Sequence, residues 1–259
     1  MKKTKNLKNN KKTTFSAWLK ENAKALLWAA LIALTVRSCA FEPFNIPSSS
    51  MVPTLLVGDY LFVSKYAYGF SRHSFPFSLP IVPKGRIFYR APERGDVVVF
   101  RLPSNTSIDY IKRVIGLPND RIQVKGGVLH INGVPVKREF QGVVMEERAG
   151  VKQAHTLYQE TLPNGVVHPI LEYADNLPQD DTQEFIVPPN HFFMMGDNRD
   201  NSQDSRWLDK VGYVPKENLV GKAEVIFYSN NGYAPFIAFW NWKESIRWDR
   251  LLMKIGSDK

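Results

Sequence analysis

With one cysteine in 259 residues, Cys39, the chain can form no internal disulfide, so covalent staples are excluded and the redox compartment stays open. Histidine is nearly as scarce. His73, His130, His155, His168 and His191 are scattered without metal-ligand spacing, and each reads as a surface or hydrogen-bonded residue. HExxH, GxSxG and GxxxxGK[ST] are all missing, which removes the local signatures of a zinc peptidase, an α/β-hydrolase and a P-loop nucleotide site. A Ser-His-Asp triad assembled in space has no local support. There is no repeat of 20 to 50 residues and no sustained heptad. Net charge is scarce outside the N-terminus. Residues 1–24 hold eight lysines against Glu21, a net +7 of the total +9, so the other 235 residues carry only +2. A nucleic-acid groove in the body is disfavoured, because phosphate binding needs Lys and Arg concentrated along one surface.

What the chain has instead begins beside that basic tail. Ala25 to Val36 reads ALLWAALIALTV, twelve residues without a charge between Lys24 and Arg37. As a helix it rises about 18 Å, short of the roughly 30 Å of bilayer hydrocarbon, unless Lys24 and Arg37 snorkel and the helix runs from near Trp18 to Phe41. Three readings stand: a cleaved signal peptide ending at Ser38-Cys39-Ala40, a retained anchor at residues 25–41 with the tail in the cytoplasm, or a buried soluble helix.

Beyond Phe41 short β-branched and aromatic runs alternate with Gly, Pro and Asn, which predicts a mainly β fold. Strands are expected at 60–65, 96–101, 110–115, 121–125, 128–131, 192–195 and 219–228, with a two-residue hairpin at Gly126-Gly127. Residues 136–183 are more polar and less periodic, as in a cap or insertion. Residues 66–92 and 234–242 are rich in aromatics and read either as core satellites or as apolar surface for a membrane; the tail from Lys243 is at most a short amphipathic helix.

Three segments hold residue types suited to chemistry. Ile46-Pro47-Ser48-Ser49-Ser50-Met51-Val52-Pro53 places serines between prolines, a loop by composition and a nucleophile if a base adjoins it. In the strand Asp109 to Ile115, Tyr110, Lys112 and Val114 share one face while Ile111, Arg113 and Ile115 share the other. A desolvated lysine loses its preference for charge and can act as a general base; an arginine practically cannot, and the competing reading is a strand-end lysine that snorkels to water. The loop Gly196 to Arg206 mixes Asp197, Asp200 and Asp204 with Arg199 and Arg206, fails the EF-hand template, and reads as a self-satisfied ion-pair loop able to fix a neighbouring catalytic group.

Taken in order, the basic tail, the apolar segment, PSSSMVPTL, GDYLFVSKYAYG, RGDVVVF, DYIKRVIGLPND and GDNRDNSQDSR resemble the bacterial type I signal peptidases, a family of Ser-Lys dyad serine peptidases. The resemblance implies an antiparallel β-sheet catalytic domain over 42–259, with a smaller β-rich cap inserted at about 121–188 and one transmembrane helix before it. It implies Ser50 as nucleophile and Lys112 as general base, an oxyanion hole from the Ser50 N–H and Ser48 hydroxyl, Ser202 orienting Lys112, and Asp204, Arg206, Asp197 and Arg113 bracing the loop. Pockets for small side chains would be lined by Phe44, Ile46, Met51, Leu55, Tyr110 and Ile111. No metal or other cofactor is implied. The partners implied are secretory preproteins, the phospholipid bilayer and the export machinery, with a single-pass protein in the cytoplasmic membrane and its body on the periplasmic side. By this resemblance the anchor is retained. Competing readings are a Ser-Lys peptidase of narrower, pilus or self-processing role, and a membrane-anchored binding domain in which the serines form only a turn. A Ser50 far from Lys112 would favour the last.

Overall fold

The computed structural model describes residues 15–75, 85–148, 151–174, 177–232 and 239–256. The chain divides into two compact units, Met1–Arg37 and Ser38–Lys259. Residues 76–84 of the first aromatic stretch and 234–238 of the second lie outside the described residues, as does the tail before residue 15.

The first unit contributes most of α1, Phe15–Cys39. Lys20, Glu21, Lys24 and Arg37 limit its uncharged run to the twelve residues between the last two. Among the described residues no helix is long and apolar enough to cross a membrane. The helix also ends earlier than expected, because Phe41 already pairs with Ser64 as the first residue of β1, Phe41–Asn45. Pro43 confines β1 to a sheet edge, which is where it lies.

The second unit is built from antiparallel sheets. β2 is Asp59–Ser64, β3 Val97–Leu102 and β4 Asn105–Gly116. β5 (Arg121–Lys125), β6 (Val128–Ile131) and β7 (Val134–Pro135) follow, then the long pair β8 (Lys137–Arg148) and β9 (Val151–Thr161), and β10 (Val167–Glu172). β11 (Phe185–Ile186), β12 (His191–Met195), β13 (Val214–Pro215), β14 (Leu219–Ser229) and β15 (Met253–Lys254) complete the set. The main sheet runs β1-β2-β14-β3-β4-β12-β13, with β15 also paired to β14. Between β4 and β12 the chain makes two smaller sheets, β11-β5-β6-β7 and β10-β9-β8.

Val97, Val98, Val99 and Phe100 form a continuous apolar run because both faces of β3 are covered: Val97 and Val99 enter one core cluster, Val98 and Phe100 another. β2 alternates instead, burying Leu61 and Val63 while Tyr60 and Phe62 stay partly exposed. On that outer face Phe62 stacks on Phe227 at 4.3 Å between centroids. A third cluster packs Ile122, Val124, Leu129 and Ile131 of the smaller sheet against Ile115 and Phe193 of the main one.

The turn between β1 and β2 is tied to the C-terminal segment by a buried ion pair. Asp59, fully buried, accepts from Arg250 Nη2 at 2.6 Å and Nε at 3.1 Å, from Ser229 Oγ at 2.6 Å, and from the Leu56 N–H at 2.8 Å. Arg250 Nη2 also donates to the Thr54 carbonyl at 2.9 Å. Asp59→Ala strands the guanidinium, and chemical denaturation is expected to show a loss of about 3–5 kcal/mol. The double variant Asp59→Leu/Arg250→Met is expected to lose less than that single variant.

Candidate active site

The serine run is ordered by its own backbone. Ile46 N–H donates to Asp59 O at 2.8 Å and Gly58 N–H to Ile46 O at 3.0 Å, closing the base of the connection between β1 and β2. Within it Val52 N–H donates to Ser49 O at 3.1 Å and Leu55 N–H to Met51 O at 2.9 Å. Met51 and Leu55 therefore share one side of a turn, and both are fully buried in the core. They pin the turn from below, while Ser48, Ser49, Ser50, Val52 and Pro53 line the cleft above.

Lys112 comes from the middle of β4, paired with Val98 of β3. The residue is 3% exposed, and its amine donates to Ser50 Oγ at 2.6 Å and to the Ile111 carbonyl at 2.9 Å and stands 5.3 Å from the Tyr110 ring centre. Burial lowers its pKa from 10.5 to about 8, against the opposing pull of the Asp204 and Asp197 carboxylates. Ser48 Oγ is 3.4 Å from Ser50 Oγ. A serine hydroxyl thus adjoins an amine that sheds its proton more readily than a solvated lysine does.

The loop from Gly196 to Arg206 closes over the other side. Asn198 N–H donates to Ser50 O at 3.1 Å, Asn198 Nδ2 to Ser49 O at 3.2 Å, and Asn201 Nδ2 to Ser49 Oγ at 2.7 Å. So close an approach requires glycine at 196, where a Cβ would lie 2.5 Å from Ser50 O and 2.3 Å from Ser202 Oγ. Asp197 receives Arg113 bidentately, Nε at 2.8 Å and Nη2 at 2.7 Å, and Thr54 Oγ1 at 2.5 Å. Burial raises the Asp197 carboxyl, but the Arg113 guanidinium outweighs it and holds the group well below the usual carboxylate range. Asp204 accepts from Gly196 N–H at 3.0 Å and from Arg206 Nε and Nη2 at 2.9 Å each. Its pKa too is lowered, Arg206 overcoming the effect of burial. The expected bond from Ser202 to Lys112 is not made. The lysine is occupied by Ser50 and Ile111, and the Ser202 hydroxyl lies against Asp204 instead.

Sequence reasoning missed the two asparagines, which stand inside the loop but were passed over for its charges. It also missed a support behind the loop: Glu160 of β9 takes both terminal nitrogens of Arg199, and the His168 ring of β10 lies 3.2 Å from Glu160 and 3.4 Å from Asp197. Nothing local in the sequence marks that contact.

Above Ser50 and Lys112 opens a cleft of about 1190 Å³. Phe44, Ile46, Tyr110 and Ile111 line it, joined by Pro47, Val99 and Ile108 and by residues of β8, β9 and β10. Among the described residues no cluster of three His, Cys, Asp or Glu is placed to hold a metal ion.

Comparison with known proteins gives this geometry a family. A family model described as signal peptidase, peptidase S26, matches residues 19–228. Signal peptidase I of Rickettsia typhi is 38% identical, the match covering 95% of this chain and 98% of that protein. Signal peptidase I of Rickettsia conorii is also 38% identical, over 95% and 97%. A crystal structure of a signal peptidase I from Enterococcus faecalis V583 is 25% identical with a TM-score of 0.32, covering 51% of this chain and 97% of that one. The chain belongs to the signal peptidase family, peptidase S26, and is a serine peptidase.

Proposed function

We propose that this protein removes N-terminal signal peptides from exported preproteins, cutting after small residues, with Ser50 as nucleophile and Lys112 as general base. The 2.6 Å contact between Ser50 Oγ and the buried Lys112 amine is the observation that carries the reading. Neutral Lys112 takes the Ser50 proton as Oγ attacks the scissile carbonyl carbon. The oxyanion is held by the Ser50 N–H and the Ser48 hydroxyl. The lysine, now charged, gives its proton to the departing amine, and the acyl-enzyme is then hydrolysed by water that Lys112 deprotonates. Ser202, Asp204, Arg206, Asp197 and Arg113 keep the loop closed on the pair. Small-residue pockets lie among Phe44, Ile46, Tyr110 and Ile111, beside an extended substrate that pairs with a strand edge.

The helix from residue 25 to 39 is read as a retained single span of the cytoplasmic membrane, its short uncharged run made up by snorkelling at its ends, with the tail 1–24 inside and the body from Phe41 outside, where it meets preproteins from the export machinery. The support is the exposure of Leu27, Trp28 and Ile32 at 69%, 62% and 60%, next to a basic tail. The partly exposed Phe41, Tyr60, Phe62 and Tyr66 of the body suit the same membrane surface.

Ser50→Ala and Lys112→Ala are each expected to lower cleavage of a preprotein with an Ala-x-Ala site by at least about 10³-fold, with melting temperature retained. Lys112→Arg is expected to fail equally, since guanidinium stays charged. Full activity in any of the three contradicts the dyad.

The pH dependence follows from the lowered amine pKa. The base works only when neutral, so kcat/KM is expected to rise with pH and level off above about 8. Below that value it should fall about tenfold per pH unit. A profile still climbing through pH 10 would mean that the amine titrates as a solvated lysine.

A further inference from the structure

Two sheets wall the cleft. One wall belongs to the main sheet and its edge, with Phe44, Tyr110 and Ile111; the other is the face of β10-β9-β8 that presents Val144, His155, Leu157 and Leu171. Strand register puts these four side chains together. Val144 lies opposite His155, Leu157 lies opposite Leu171, and His155 and Leu157 are two apart on β9. Met145, next along β8, also reaches the cleft. Val144 is 43% exposed and Met145 59%, apolar side chains that the rest of the described fold leaves partly uncovered.

An extended peptide turns alternate side chains to opposite sides. When the first and third residues before the cut enter pockets of the main sheet, the second and fourth point away from it. We infer that the β8–β9 arm is a specificity-determining wall that reads the second residue before the cut and favours apolar side chains there. This rests on the peptidase reading above; the occupant is the preprotein itself, because the arm is continuous with the cleft that holds Ser50 and Lys112.

The test uses the full-length enzyme in detergent and preproteins that differ only at the second residue before an Ala-x-Ala cut: Leu, Asp or Lys. Wild type is expected to cleave the Leu substrate about tenfold better than the Asp one in kcat/KM, the size of one partly buried apolar contact. In Val144→Asp/Met145→Asp the Leu preference should be lost and the Lys substrate should become the best of the three. That gain separates altered recognition from damage to the fold. The nearly isosteric Val144→Thr should weaken the Leu preference without changing melting temperature. Indifference of wild type to this residue, or an unchanged preference in folded variants, overturns the inference. If wild type cleaves none of the three, the peptidase reading fails first and the inference falls with it.

Discussion

One lysine kept dry is the constraint on which the rest of the site depends. An amine in water near neutral pH is almost entirely protonated and useless as a base. Lys112 escapes that state because β3, β4 and the serine turn enclose it, and burial outweighs the pull of two nearby carboxylates. Those carboxylates are themselves neutralised. Asp197 is paired with Arg113 and Asp204 with Arg206, so their pull on the lysine is weaker than burial. The dense charge of the 196–206 loop is compatible with a lowered amine pKa only because its members satisfy one another.

The same loop sets the serine. Bonds from Asn198 and Asn201 fasten the backbone and side chain of Ser49 and the carbonyl of Ser50, while Thr54, four residues on, joins the Arg113–Asp197 pair. Successive residues of β4 are therefore both engaged by one turn: Ser50 meets Lys112 and Thr54 meets Arg113. Ser49, which had no evident task in the sequence, is where the loop takes hold of the turn. The insertion joins this arrangement from behind through Glu160 and His168 and from the front as a cleft wall.

What was legible in the sequence was whatever has a local signature. The run from Val97 to Phe100 and the hairpin at Gly126-Gly127 read directly as strands and turn, and both are found. β1 was not legible, because FEPFN is short, carries a proline and adjoins an apolar helix. Nor were β8 and β9, whose outer positions are half exposed, so that their pattern loses the clean alternation of a strand covered on one face. At the site, Ser50 and Lys112 were named through five ordered motifs rather than through any property of either residue. Contacts such as Glu160 with Arg199 join residues 39 positions apart and have no periodic trace.

The most direct test of the account is the ionisation of Lys112 itself, followed by NMR on lysine-labelled full-length protein in micelles and assigned through a Lys112→Met variant. The account predicts that the Lys112 amine titrates near 8, with that value persisting in Ser50→Ala because burial rather than the serine sets it. A Lys112 resonance titrating near 10.5, the ordinary value for a lysine, would contradict it.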